Sequence, residues 1–275
     1  MKMKNLSLLL LTLTLFFISV YSQDIKQIQL VFRWPETYCN KDPKPEVGCN
    51  KIPPLKFTLV GFWGTDSNGK IVEKCPVTKP PNWKDVFKPD LVTQLDKFWP
   101  SLTKTDNKKM WQEAWETYGT CITKKLKGPT QYFNRAVRLA GEIGDLLQDH
   151  LIQSDGIVPC DSAVYNKDEI LNSFKKVADE NVVSFNCKKK NNTHAYLNQI
   201  TFCYEEDPKK IVSCLVTDDK SCPPNIIVPR PSPPTPPPPP PPHRPSLPAL
   251  ASSLQTLRRT REKLRPIAYG RSFVN

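Results

Sequence analysis

Nine cysteines, all placed after an apolar leader, constrain this chain more than any other feature of its sequence. Lys2 and Lys4 precede the apolar run from Leu6 to Val20, which closes at Val20-Tyr21-Ser22, and polar Gln23-Asp24 follows without a stop-transfer cluster. The run is shorter than the roughly 20 residues of a comfortable bilayer span, so residues 1–22 read as an export signal cleaved after Ser22. No later segment reads as a membrane span. Export makes the product secreted and extracellular, and in that oxidising compartment the cysteines read as a disulfide framework rather than as thiol ligands. The odd count leaves at least one thiol unpaired. No CxxC occurs, and His150, His194 and His243 are scattered, so no metal site and no cofactor is expected.

The formal charge of +12 would point to nucleic acid or acidic surfaces if it were spread over the fold. It is not. From Arg230 onward eight Lys/Arg stand against Glu262 alone, and with Lys2 and Lys4 they carry nine of the twelve charges. The rest of the chain is left at about +3, ordinary for a soluble domain. Composition divides the chain in the same way: one domain over residues 23–222, a proline-rich linker over 223–248 with an unbroken run from Pro236 to Pro242, and a basic tail over 249–275. The linker favours extended polyproline II, a spacer or a ligand for proline-reading grooves. The tail, with Arg258-Arg259-Thr260-Arg261, reads as disordered alone and able to meet acidic cell-surface partners; an extension with no selected role is the plain alternative.

Within the domain, Ile28–Trp34, Phe57–Trp63, Val182–Cys187, Tyr196–Tyr204 and Ile211–Cys214 have strand character. Gln131–Leu151 and Lys167–Val177 carry apolar residues at helical spacing. Helices inserted among strands imply an α+β fold, an antiparallel sheet flanked by helices and stapled by disulfides.

Three segments carry a specific signal together: Phe57-Thr58-Leu59-Val60-Gly61-Phe62-Trp63, Leu95-Asp96-Lys97-Phe98-Trp99-Pro100-Ser101-Leu102, and Trp111-Gln112-Glu113-Ala114-Trp115-Glu116-Thr117-Tyr118-Gly119-Thr120-Cys121. In order and spacing they resemble the ribonuclease T2 family, most narrowly the plant self-incompatibility ribonucleases and their relatives. The resemblance covers nearly all of residues 29–222. It implies the pairs Cys39–Cys49, Cys75–Cys121, Cys187–Cys222 and Cys203–Cys214. Cys160 is then the unpaired thiol, read as buried and inert, with intermolecular pairing the alternative.

The family cleaves RNA by transesterification to a 2′,3′-cyclic phosphate, which needs a base, an acid and positive charge around the phosphorane. Its active members read F-T-I-H-G-L-W-P and W-x-H-E-W-x-K-H-G-T-C. The first histidine falls here on Val60, and the His, Glu, Lys and His of the second motif fall on Glu113, Ala114, Thr117 and Tyr118. All five are replaced. Trp63 matches the family's tryptophan beside the scissile phosphate and is the candidate for RNA contact, whereas Trp99, Trp111 and Trp115 are expected in the core. Gly64, where the family has proline, is expected to loosen the loop that shapes the cleft. Lys188-Lys189-Lys190 could bind phosphate, although a lysine run in a loop is more often solvated surface. His150, His194 and His243 are expected on the surface and are not expected to rescue catalysis. Asn191-Asn192-Thr193 is an N-glycosylation acceptor.

The expected function is that of a secreted, catalytically silent monomer that binds RNA or another partner, or serves in storage or defence. Two alternatives stand beside it: an active extracellular endoribonuclease using substitute groups, and a cell-surface interaction protein acting through its proline and arginine tail.

Overall fold

The computed structural model describes residues 24–41, 49, 52–77, 79–103, 106–122, 126–218, 220 and 222–232. The leader and most of the proline-rich and basic segments expected from the sequence, with His243 and the unit spanning 236–275, lie outside the described residues.

The sheet is built on two long strands. β1 (Gln27–Arg33) pairs antiparallel with β2 (Thr58–Thr65) on one side and with β5 (His194–Tyr204) on the other. β5 also pairs antiparallel with β4 (Ser184–Lys189) and β6 (Ile211–Val212). β7 (Asn225–Ile227) runs parallel to the start of β5 and carries the short β3 (Tyr165–Asn166) at its other edge. The result is the expected α+β fold. β1 reads as apolar on both faces, as Ile28, Leu30, Val31 and Phe32 are all buried, because it lies inside the sheet and under a layer of helices.

That layer begins with α1 (Pro35–Asn40), which starts on a proline whose missing N–H costs a helix nothing in its first turn. α2 (Trp83–Val86) and α3 (Pro89–Phe98) follow in the segment before the third motif. α4 (Asn107–Thr117) is capped by Asp106, whose carboxylate accepts from Lys109 N at 3.0 Å, and buries Trp111 and Trp115 one turn apart. α5 (Pro129–Leu147) presents Phe133, Ala136, Val137, Ala140, Ile143 and Leu147 to the core. The helical pattern continues toward Leu151, as the sequence predicts, but over Gln148–Ser154 the turns widen to a π-helix. α6 (Lys167–Val177) starts on a capping box: Asn166 Oδ1 accepts from Asp168 N at 2.8 Å and Glu169 Oε2 from Asn166 N at 3.2 Å. Trp99, Trp111 and Trp115 are 1%, 0% and 3% exposed, so they are core residues.

Four disulfides join Cys39 to Cys49, Cys75 to Cys121, Cys187 to Cys222, and Cys203 to Cys214. They are the pairs implied by the resemblance. Cys160 carries the free thiol, but it is half-buried rather than enclosed as expected. A hydrogen bond with Ser162 is the main cause holding its pKa below the usual thiol range.

Two further expectations need correction. The domain does not stop at Cys222: Ile226, Ile227 and Val228 are buried, and Trp34 Nε1 donates to Pro229 O at 2.8 Å. The enclosed carboxylate of Glu36 then accepts from Ser232 N at 2.9 Å and Ser232 Oγ at 2.8 Å. Gly64 does not loosen a loop either, because β2 continues through it to Thr65. A Cβ at Gly64 would come within 2.6 Å of Ile25 Cδ1, so the glycine lets the preceding chain pack across the strand. No helix among the described residues is long and apolar enough to cross a membrane.

Candidate functional site

Val60 is the residue that the ladder between β1 and β2 passes over. Val31 faces Gly61 and Phe32 faces Leu59, so Val60 forms a bulge. A bulge leaves one residue unpaired and re-aims its side chain, a device common beside binding and catalytic sites. Here Val60 lines a cavity of about 200 Å³ with Arg33, Tyr38, Thr58, Trp99 and Met110. The position where a proton carrier is expected is therefore directed into a cavity, but it is filled by a hydrocarbon.

The other four replaced positions lie along α4 and its end. Glu113 is 59% exposed and reaches Lys109 at 4.0 Å, one turn back, a surface pair of small energetic weight. Ala114 packs on the core. Thr117 O accepts from Lys74 N at 2.6 Å, which ties the helix end to the segment holding Cys75. Tyr118 caps the helix, its N–H donating to Ala114 O at 2.9 Å. Burial is the main cause raising the Tyr118 phenol above the usual tyrosine range, and the carboxylate of Glu73 adds to it.

β2 and α4 meet at Trp63 and Tyr118, whose ring centroids are 5.2 Å apart. Trp63 Nε1 donates to Gln29 Oε1 at 3.0 Å, across the β1–β2 pair. The Trp63 ring lies over Gly61, where a Cβ would come within 1.8 Å of a ring carbon, so only glycine admits this rotamer. Trp63, the candidate for RNA contact, thus has its one donor and part of its ring surface engaged within the protein.

Neither described histidine lines the cavity. His150 lies in the π-helical turn close enough to Asp155 to help lower its pKa, behind the hydrogen bonds from Lys176 and Ser173. His194 opens β5, with Nδ1 2.9 Å from Thr193 Oγ1. Both are part-buried rather than fully on the surface as expected. Lys188 and Lys189 are the last residues of β4 rather than part of a loop, and Lys190 Nζ stands 5.5 Å from the Tyr196 ring centroid. Asn191 is exposed, and its Oδ1 accepts from Thr193 N and Oγ1 at 2.9 and 3.1 Å, an Asx turn.

The sequence reading missed Arg33, Gln29 and Glu73. For Arg33 a signal exists: it is the one cation in the otherwise apolar run Leu30-Val31-Phe32-Arg33-Trp34, a place where a charge is expensive. Its guanidinium carbon is 3.9 Å from the Tyr38 ring centroid, and its Nε is enclosed with no hydrogen-bond partner among the described residues.

Comparison with known proteins agrees with this geometry. The model of the Ribonuclease T2 family matches residues 25–214. Ribonuclease 3 of Arabidopsis thaliana is 26% identical over 226 residues, covering 80% of this chain and 97% of that protein. Extracellular ribonuclease LE of Solanum lycopersicum is 24% identical over 211 residues, covering 76% and 88%. The crystal structure of Japanese pear S3-RNase superposes with a TM-score of 0.64 at 22% identity, covering 73% of this chain and 98% of that one. With the family model spanning both motifs and strands β1 to β6, this chain belongs to the ribonuclease T2 family.

Proposed function

We propose that this protein is a secreted ribonuclease T2 family member that no longer cleaves RNA and acts by binding. One observation carries the reading: the two positions expected to exchange protons with RNA hold Val60, which has no proton to exchange, and Tyr118, whose phenol is pushed above its ordinary pKa and packed against Trp63. Each positioned acid or base is worth about 10²- to 10⁴-fold in rate, or roughly 3–5 kcal/mol of barrier. Losing both, with the cationic helper replaced by Thr117, removes most of the family's rate enhancement, although such losses do not simply add. Glu113 is a poor substitute, because it is exposed, ion-paired with Lys109, and repels a phosphodiester.

Secretion is supported by the apolar leader, by four disulfides and by a relative named as extracellular. Asn191, exposed in its turn, is the proposed glycan site. RNA remains a candidate ligand of the cleft, as the names of the relatives imply for them.

The test is RNA cleavage by the purified protein between pH 4 and 8. No turnover above background is expected, and Val60→His with Ala114→Glu, Thr117→Lys and Tyr118→His should raise it. Turnover by the unmodified protein comparable to an active T2 ribonuclease would overturn the reading, and its loss on changing Glu113 or Tyr118 would establish the active-enzyme alternative.

A further inference from the structure

We propose that the hairpin joining β4 to β5, together with Lys41, is a docking surface for a carboxylated polysaccharide, a chain of uronic acid sugars. The proposal rests on reading the protein as secreted and acting by binding, but it does not depend on the loss of RNA cleavage.

Three lysines from separate parts of the chain converge on Tyr196. Lys188 lies directly opposite it on β4, so the two side chains share one face of the sheet. Lys190 Nζ stands 5.5 Å from the Tyr196 ring centroid, and Lys41 Nζ, from the residue that ends α1, stands 5.9 Å from it. The negative face of the ring attracts each ammonium but carries no net charge to neutralise it. Lys41 is shared with Asp161 at 3.1 Å and with the enclosed Glu36 at 3.8 Å. Lys189 and Lys190 are exposed and form no ion pair among the described residues. The hairpin itself, residues 184–196, holds three lysines and no aspartate, glutamate or arginine. Like charges gathered in one place repel one another, and an anion laid across them relieves that repulsion.

The frame that carries these charges is fixed. Cys187, next to Lys188, is bonded to Cys222. At the turn, Lys190 N donates to His194 O at 3.0 Å, and Asn191 Oδ1 accepts from Thr193 N and His194 N at 2.9 and 2.8 Å. A backbone already held in this way loses little conformational freedom when a ligand docks.

The groups present select the kind of anion. Each ammonium is a compact point charge, suited to single charges spaced along a polymer, and the hairpin lacks the planar arginine fork that meets phosphate through paired bonds. Surfaces for single-stranded nucleic acid add open aromatic faces on which bases stack. Tyr196 is half-buried and its ring is approached by two ammoniums, so recognition falls to charge and hydrogen bonding. A polyuronate offers both, a carboxylate and free hydroxyls on each sugar. Such polymers belong to the extracellular space, the compartment to which the leader and the disulfides point.

Calorimetric titration of the mature full chain at neutral pH and physiological ionic strength tests this, with any glycan at Asn191 removed enzymatically because it would spring from the same turn. The ligands are a galacturonate oligomer, its methyl ester as the uncharged counterpart, and oligouridylate. Saturable binding of the galacturonate oligomer is expected, with the ester at least about tenfold weaker, the scale of one charge-assisted hydrogen bond. Lys188→Gln with Lys190→Gln should weaken galacturonate binding by at least about tenfold. Lys84→Gln with Lys127→Gln removes the same charge elsewhere on the surface and should weaken it by less than about twofold, while the basic tail contributes equally to all forms. Ester binding as tight as that of the acid, equal losses in the two double variants, or failure of the acid to saturate at millimolar concentration overturns the proposal. Oligouridylate binding that is lost in Lys188→Gln with Lys190→Gln, without galacturonate binding, would assign the hairpin to RNA instead. The comparison of acid with ester needs no variant, so it stands even if a variant misfolds, and none of these outcomes alters the cleavage assay.

Discussion

At Val60 the side chain has no heteroatom, so no pH and no neighbour can make it a base; at Tyr118 the obstacle is energetic, since burial and Glu73 both oppose loss of the phenol proton. Arg33 presents the converse case, a charge kept where a neutral group would be more comfortable. If its guanidinium is uncompensated in the free protein, Arg33→Met should stabilise the fold. The stack on Tyr38 would be lost, worth about 0.5–2 kcal/mol. Relief of the unpaired charge should exceed it, because replacing even a paired buried charge by hydrocarbon often gains about 1–4 kcal/mol. The expected net gain is about 1 kcal/mol, or roughly 2–4 °C in thermal midpoint for a domain of this size. A loss of stability, measured by thermal or urea unfolding without added anions, would mean that the guanidinium is already satisfied.

At the level of elements, the parts written in local periodicity were legible and the parts set by distant pairing were not. The capping box and apolar face of α6 can be read from Asn166 to Val177 directly, and the Lys167–Val177 bounds coincide. The bulge at Val60 cannot, because it exists only in the register of β2 against β1, and the same seven residues would read as an unbroken strand. The sequence therefore located the position but not the cavity into which it turns, and it missed Arg33 because the partner Tyr38 belongs to the next helix. Proline content hid β7. Prolines flank Asn225–Ile227 closely enough to suggest a linker, yet the strand pairs with His194–Tyr196 of β5, ahead of the Gln199–Tyr204 stretch that pairs with β1. This has a direct consequence for dissecting the tail. A chain ending after Cys222 loses three buried side chains, Ile226, Ile227 and Val228, at about 1.5–3 kcal/mol each, a sum near the whole stability of a typical domain. It also loses the acceptor of Trp34 Nε1. That truncation should unfold or fail to accumulate, whereas ending after Thr235 should move the thermal midpoint by no more than about 2 °C. Equal midpoints for the two truncations would remove β7 from the cooperative fold.

Over the whole molecule, buried tyrosines outside the replaced positions set the upper end of the pH range in which the fold survives. Tyr132 is fully enclosed between the sheet and α4, its hydroxyl donating to Phe62 O at 2.8 Å and its ring 5.5 Å from Trp115. Tyr204 is enclosed at the end of β5. Burial raises both phenols well above the usual tyrosine range. In the unfolded chain they ionise near pH 10, while in the fold they keep their protons to higher pH, so above about pH 10 the native state binds more protons than the unfolded one. Their contribution is intact below about pH 10 and is lost as pH rises from there toward the folded values. Each tyrosine should lower stability by about 1.4 kcal/mol per pH unit in that interval. Tyr132→Phe separates this effect from packing. At neutral pH it should cost about 1–2 kcal/mol, because Phe62 O loses its donor in a buried place. Above pH 10 its stability should fall by about 1.4 kcal/mol less per pH unit than that of the unmodified protein, so the two curves converge with rising pH. Urea unfolding at half-unit steps from pH 9 to 11.5 measures both slopes. Parallel curves would mean that Tyr132 ionises as readily in the fold as out of it, which its enclosure forbids.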